Sequence, residues 1–196
     1  AEVSAADVID GISSEGAGSI VLYAGTLETY QGIDLLLESM PDVKAKDASI
    51  RLIVVGGSAA QVSHYEDMAA RLGVDDVCTF TGRVPQAVAK DFTARADILT
   101  SPRTRGMNTP LKIYELLDCG KPLVATRIPS HTQVLTEDVA FLADPEPYDF
   151  AVAVADAAGD AGSVEEKVAN ARRLYATDYS PAAYGEKIDR LLERFR

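Results

Sequence analysis

Short, almost wholly apolar runs alternate along this chain with longer stretches in which apolar residues recur every three to four positions. Ile20, Val21, Leu22 and Tyr23 form the first apolar run, closed by Ala24, Gly25 and Thr26. Residues 33–40 then repeat apolar residues at helical spacing, with Pro41 near the end. Residues 50–55 make a second strand ended by Gly56 and Gly57, and 61–72 read as a helix that Gly73 caps. A third strand over 77–80 ends at Thr81 and Gly82. Pro85 opens a helix that runs to about Arg95, since proline is tolerated in a first helical turn. Residues 96–101 form a fourth strand, 110–119 a helix closed by Gly120, 122–125 a fifth strand and 139–142 a sixth. Three helical pieces follow, over 148–159, 163–176 and 181–196.

Near-continuous apolar strands alternating with amphipathic helices predict a parallel sheet of about six strands, covered on both faces. Right-handed crossovers then make the fold a doubly wound, Rossmann-like α/β domain. The last three helices have no strand between them, so the sheet ends near residue 142 and a helical tail follows. Residues 10–19, rich in Ser, Gly and acid, read as a linker. The expected organisation is a lead-in over 1–19 and one domain over 20–196.

Composition narrows the class of protein. The 196 residues are 47% hydrophobic and 25% charged, which suits one folded domain with a real core. A net charge of −11 makes nucleic acid a poor partner, because phosphate binding is driven by Lys and Arg. No apolar run approaches the roughly 18 residues of a membrane span. No basic segment followed by an apolar stretch opens the chain. Cys78 and Cys119 are isolated and read as reduced core thiols; His64 and His131 have no metal-ligand spacing around them. Neither a metal nor a cofactor is expected, and the chain is expected in the cytoplasm.

In open α/β sheets, ligands bind beyond the carboxyl ends of the strands, where the strand order reverses. Those ends carry Gly25-Thr26, Gly56-Gly57, Thr81-Gly82-Arg83 and Ser101-Pro102-Arg103. The familiar phosphate signatures are missing: no GxGxxG follows the first strand and no GxxxxGK[ST] occurs. There is no acid at the end of the first strand for a phosphoacceptor, and no GxSxG elbow.

Residues 100–125, TSPRTRGMNTPLKIYELLDCGKPLVA, leave the fourth strand, cross a glycine-containing loop and enter a helix at Pro110. Free N–H groups at that helix start, with the dipole behind them, suit a diphosphate. Thr109 is placed to be the N-cap. Lys112 lies in the first turn, where a cation opposes the dipole and a bound anion would explain it. Glu115 shares roughly its face, and a carboxylate there can accept both hydroxyls of a ribose.

This segment resembles the C-terminal domain signature of the family 4, or group 1, retaining glycosyltransferases of GT-B fold. That signature has a loop, a glutamate, seven residues, a second glutamate and a stretch ending G-x-P-V-V-A. Here the second glutamate is Glu115, followed by Cys119-Gly120-Lys121-Pro122-Leu123-Val124-Ala125. Tyr23 to Leu27 leading into Gln31 to Leu37 is similar to the family's first strand, phosphate turn and helix. Residues 52–57, 77–84 and 96–102 are similar to its next three strands. The match runs in order from about residue 20 to 145.

The resemblance implies transfer of a glycosyl unit from a nucleotide diphosphate sugar, with retention and without a metal. It places Gly25, Thr26, Gln31, Arg103, Arg105, Gly106, Met107, Asn108, Thr109, Pro110, Leu111 and Lys112 around the diphosphate and sugar. It places Glu115 on the ribose, and Gly56, Gly57, Gly82, Arg83 and Val84 around the base. Two features depart from the family. Met107 stands where the first glutamate, which approaches the donor sugar, would be. Thr26 and Gln31 stand where an Arg and a Lys usually hold the diphosphate; Arg103, Arg105 or Lys112 could supply the missing positive charge. His131, after the fifth strand, either faces the site or serves the loop.

The family fold has two Rossmann-like domains, and only the donor-side one is expected here. The implied partners are a nucleotide-sugar donor, an N-terminal domain of the same enzyme and a saccharide or lipid-linked acceptor. A lipid-linked acceptor would put the full-length protein at the inner face of the membrane. Two other readings share the fold: a non-catalytic nucleotide- or sugar-nucleotide-binding module, and a sugar-nucleotide epimerase domain.

Overall fold

The computed structural model describes residues 3–14, 16 and 18–193. Six strands form one parallel sheet: β1 (Ile20–Ala24), β2 (Arg51–Val55), β3 (Cys78–Gly82), β4 (Ile98–Ser101), β5 (Leu123–Thr126) and β6 (Phe141–Ala143). Their order across the sheet is β3-β2-β1-β4-β5-β6. The chain therefore reverses direction across the sheet between β1 and β4, which is the switch point of a doubly wound fold. β1 and β2 pair in register from Ile20 opposite Arg51 to Ala24 opposite Val55. Every residue of β1 is buried, as a central strand covered on both faces requires.

Helices cover the two faces in separate sets. α2 (Ile33–Lys46), α3 (Ala59–Leu72) and α7 (Pro147–Gly159) close one face, packing Leu36, Leu37, Met40, Tyr65 and Phe150 onto Val21, Leu52 and Val54. The other face is closed by α1 (Ala5–Ser14), α4 (Gln86–Arg95), α5 (Leu111–Asp118) and α8 (Ala161–Leu174). Phe92, Ile113 and Leu117 there pack on Leu22, Ile53 and Leu99. The short α6 (Pro129–Thr132) links β5 to β6, and a π-helical turn (Tyr175–Tyr179) leads from α8 to α9 (Pro181–Glu193).

Three expectations need correction. Part of the lead-in read as a linker is helical: α1 buries Ala5 and Ile9 in the second core. Its Ser and Gly content hid an apolar stripe of Ala5, Val8, Ile9 and Ile12. An Ile9→Ala variant is expected to lose about 2 kcal/mol or more, measured by denaturant unfolding; a linker would lose nothing. Second, α2 runs through Pro41 to Lys46. A helix-interior proline costs about 3 kcal/mol. Burying Leu36, Leu37, Met40 and Val43, at roughly 1.5–3 kcal/mol each, outweighs it. Third, α3 starts at Ala59, two residues early, because Ser58 and Gln61 form a reciprocal capping box.

Candidate functional site

The carboxyl ends of β1 and β2 are drawn together by glycine. Gly25 N–H donates to the Val55 carbonyl at 2.9 Å, and Gly56 N–H donates to the Gly82 carbonyl at 2.8 Å. Gly56 has φ +125°, and a Cβ there would lie 1.9 Å from the Gly25 carbonyl oxygen. Only glycine permits this approach. Beyond it opens a cleft of about 430 Å³, a size that suits a small-molecule ligand.

Of the residues singled out in the sequence, the cleft gathers Gly25, Thr26, Gly56, Gly57, Arg83, Val84, Lys112 and Glu115. Gly82 lies at its edge, bonded to Gly56. Lys112 and Glu115 come from one turn of α5, across the switch point from the glycine turns. The Lys112 ammonium sits 5.7 Å from the centre of the Tyr23 ring. Burial pushes its pKa down to about 8, against the opposing influence of the Glu115 carboxylate and Cys119. The Tyr23 hydroxyl donates to the Thr26 carbonyl at 2.6 Å, so the same ring supports the β1 turn. Glu115 is exposed at the rim and has no ion pair among the described residues.

Free donors lie in this space at Thr26, Gly57 and Lys112, and next to it at Leu111. The backbone N–H groups of Thr26, Gly57, Leu111 and Lys112 have no acceptor among the described residues. Those of Leu111 and Lys112 are the first two of α5, carrying the positive end of its dipole. The cap itself differs from expectation. The helix starts at Leu111 with Pro110 at the N-cap and no side-chain cap. Thr109 donates to Gln133 Oε1 at 3.3 Å, so its hydroxyl serves a loop contact.

The remaining expected contacts lie outside the cleft. Arg103 covers the Tyr30 ring at 5.1 Å and donates from Nε to the Arg105 carbonyl at 2.7 Å. Arg105 lines a separate cavity, and Gln31 reaches Thr26 Oγ1 only at 3.5 Å. Gly106, Met107, Asn108, Pro110 and Leu111 do not line the cleft; Met107 is 74% exposed. Gln133 Nε2 donates to the Met107 carbonyl at 2.7 Å and holds that loop. Of the three cations expected to replace the family's Arg and Lys, Lys112 alone lines the cleft.

His131 is fully buried. Its Nδ1 lies 2.9 Å from the Thr126 carbonyl and Nε2 lies 3.0 Å from Ser101 Oγ. The carbonyl fixes the proton on Nδ1, leaving Nε2 to accept from the serine. Thr126 Oγ1 in turn donates to the Arg103 carbonyl. The imidazole thus ties β4 to β5 beneath the loop and contributes nothing to the cleft. Burial lowers its pKa; the Thr126 backbone opposes this and Arg103 adds to it. A histidine whose folded pKa is lowered stabilises the fold above the unfolded value of about 6.5, and that stability is lost as pH falls below it. The melting temperature is expected to fall from pH 6.5 to 5, with the slope absent in His131→Asn. The lowered carboxylates Asp47 and Asp76 act below this window.

Comparison with known proteins places the chain. The family described as Glycosyl transferases group 1 matches residues 18–160. The chain belongs to this family. The D-inositol 3-phosphate glycosyltransferase 2 of Catenulispora acidiphila is 29% identical over 147 residues, covering 70% of this chain and 34% of that protein. The phosphatidyl-myo-inositol mannosyltransferase of Mycobacterium tuberculosis is 29% identical over 143 residues, covering 71% and 36%. The chain thus spans about a third of the length of these curated relatives. Alr3699/HepE of Anabaena, solved with UDP, superposes with a TM-score of 0.82 at 17% identity, covering 97% of this chain and 52% of that one. The C-terminal domain of the group 1 protein LpcC of Francisella tularensis gives 0.72 at 14% identity, covering 88% and 92%. The fold is that of a group 1 C-terminal domain.

In this group 1 chain, sequence reasoning missed a whole wall of the cleft. Gln86, Ala89, Lys90 and Thr93 line it from α4. Their spacing, three to four apart, marks one helix face and was the available signal. Gln61 was also missed. Its Nε2 donates to the Leu27 carbonyl at 3.0 Å, fixing the β1 turn to the α3 cap. Among the described residues no cluster of His, Cys, Asp and Glu could hold a metal. Cys78 and Cys119 are free thiols.

Proposed function

We propose that this chain is the donor-binding half of a retaining glycosyltransferase that takes its sugar from a nucleotide diphosphate sugar. The observation that carries the reading is the convergence of Lys112 and Glu115 on the cleft that the Gly25 and Gly56-Gly57 turns open. The diphosphate lies against the free N–H groups of Thr26, Leu111 and Lys112, with the Lys112 ammonium beside it. Glu115 accepts the ribose hydroxyls, and the base lies between Gly56-Gly57 and Arg83-Val84. As the glycosidic bond breaks, negative charge grows on the leaving diphosphate; oriented donors and the cation stabilise it without rearranging. The reaction needs no metal in this arrangement.

Neighbouring structures support a nucleotide-sugar donor: Alr3699/HepE was also solved with UDP-glucose. The named activities of the relatives support a polyol or lipid-linked acceptor, which we assign to a second Rossmann-like domain. No helix of the described residues is long and apolar enough to cross a membrane, and we place the protein in the cytoplasm or at the inner membrane face. One observation favours a second reading, a non-catalytic sugar-nucleotide-binding module: Met107 replaces a carboxylate and its side chain lies outside the cleft. Sugar transfer by the full-length protein would reject it.

Calorimetric titration with UDP, GDP and ADP tests the site. One of them is expected to bind, and Glu115→Ala to weaken it roughly ten-fold, as loss of a charge-assisted hydrogen bond to ribose requires. Failure of all three to bind would overturn the proposal.

A further inference from the structure

Two lysines line the cleft, Lys90 from α4 and Lys112 from α5. Of the two, Lys112 shares a helical turn with free backbone donors, its own N–H and that of Leu111. Its ammonium is in no ion pair among the described residues, whereas Lys44 and Lys187 are held by Asp76 and Asp178. The groups near it are the Tyr23 ring, Glu115 one turn on and Cys119 beyond.

The Lys112 side chain is half-buried, and with its pKa pushed down to about 8, roughly a tenth to a half of the amine is neutral between pH 7 and 8. A neutral lysine amine is a nucleophile, and desolvation is one way a protein makes one. The other nucleophiles beside it are engaged. The Tyr23 hydroxyl donates to the Thr26 carbonyl at 2.6 Å. Cys119 Sγ donates to the Glu115 carbonyl at 3.1 Å, and burial, with the Asp118 and Glu115 carboxylates, pushes its pKa up, so its reactive thiolate is scarce. Donors that suit a diphosphate also suit a single phosphate. An electrophile that carries its own phosphate is therefore held on the turn that bears the amine, which raises its effective concentration there.

We infer that Lys112 is a modification site for small acyl phosphates, whose phosphate binds in the cleft and presents the acyl carbon to the lysine nitrogen. The phosphate-holding role of the cleft rests on the donor reading given above. In the step, Nζ bonds to the acyl carbon and the bond from that carbon to the phosphate oxygen breaks. The phosphate leaves with the bonding electron pair and takes the proton that the nitrogen releases. The products are an amide on Lys112 and inorganic phosphate. Acylation removes the charge and fills the space beside the free N–H groups, so it switches donor binding off.

Incubation of the chain with acetyl phosphate, followed by peptide mass mapping over time, tests this. Lys112 is expected to acetylate at least about ten-fold faster than Lys90, which lines the same cleft, with inorganic diphosphate slowing Lys112 alone. Acetic anhydride, which carries no phosphate, is expected to favour Lys112 over Lys90 by a margin roughly ten-fold smaller. Chain acetylated at Lys112 should bind UDP, GDP or ADP, whichever the unmodified chain binds, about 100-fold more weakly by calorimetry. Equal rates at Lys90 and Lys112 would overturn the inference and leave the donor reading standing. Equal preference with the anhydride, or no protection by diphosphate, would show that no bound phosphate delivers the acyl group and overturn it as well. Selective, diphosphate-sensitive acetylation of a chain that binds none of the three nucleotides would uphold the modification site and reject the donor reading.

Discussion

Gly56→Ala is expected to destabilise the domain by about 3 kcal/mol or more and to abolish nucleotide binding. The residue has φ +125°, a conformation that L side chains rarely adopt, and its new methyl would sit 1.9 Å from the Gly25 carbonyl oxygen. That oxygen belongs to backbone at the end of the central strand, which cannot swing aside as a flexible side chain would. Relief therefore requires the ends of β1 and β2 to separate, breaking the Gly56–Gly82 and Gly25–Val55 hydrogen bonds that shape the cleft. Gly73→Ala is the control. Its φ is +69°, but nothing lies within 4 Å of a Cβ there, so a loss of roughly 1 kcal/mol is expected, with binding intact. Urea unfolding of both variants and calorimetry with UDP measure the difference. Equal losses would show that the close approach at Gly56 has no special weight.

Lys112→Met is expected to act in opposite directions on stability and affinity. The ammonium is held in a partly desolvated position above Tyr23, with its pKa pushed down to about 8 by burial. A lysine whose folded pKa lies below its unfolded value costs stability while it is protonated, and the cost fades as pH rises toward about 10.4. Methionine fills similar volume without a charge, so the empty domain should melt higher at pH 7. A diphosphate loses its cation in the same variant, and its affinity is expected to fall roughly 100-fold. Wild-type affinity should itself decline above about pH 8 as the lysine deprotonates, by up to ten-fold per pH unit, a slope the variant lacks. A higher melting temperature with unchanged affinity would assign Lys112 no part in anion binding. Such a trade of stability for function is common at binding sites.

The cleft was legible in part because its determinants are local. Gly25, Gly56 and Gly57 follow apolar runs directly, and Glu115 sits at a fixed distance from Gly120 to Ala125, so spacing alone brings them to the strand ends. The α4 wall was less visible: Gln86, Lys90 and Thr93 read as an ordinary solvated helix face until the cleft is seen against it. The arrangement of the loop of residues 103–109 was not legible, for a different reason. Nothing in its sequence indicates that Arg103 lies over the Tyr30 ring, or that Gln133 holds the Met107 carbonyl.

The amino-acid sequence by itself determined the order of the six strands, the doubly wound fold class and the strand ends at which the cleft opens, because period and punctuation are properties of neighbouring residues. Tertiary structure alone decided which cations line the cleft, how α1 joins the core and why α2 passes through Pro41. Those outcomes depend on contacts between segments far apart in the chain, where burial of several apolar side chains, or one close backbone approach, outweighs local preference.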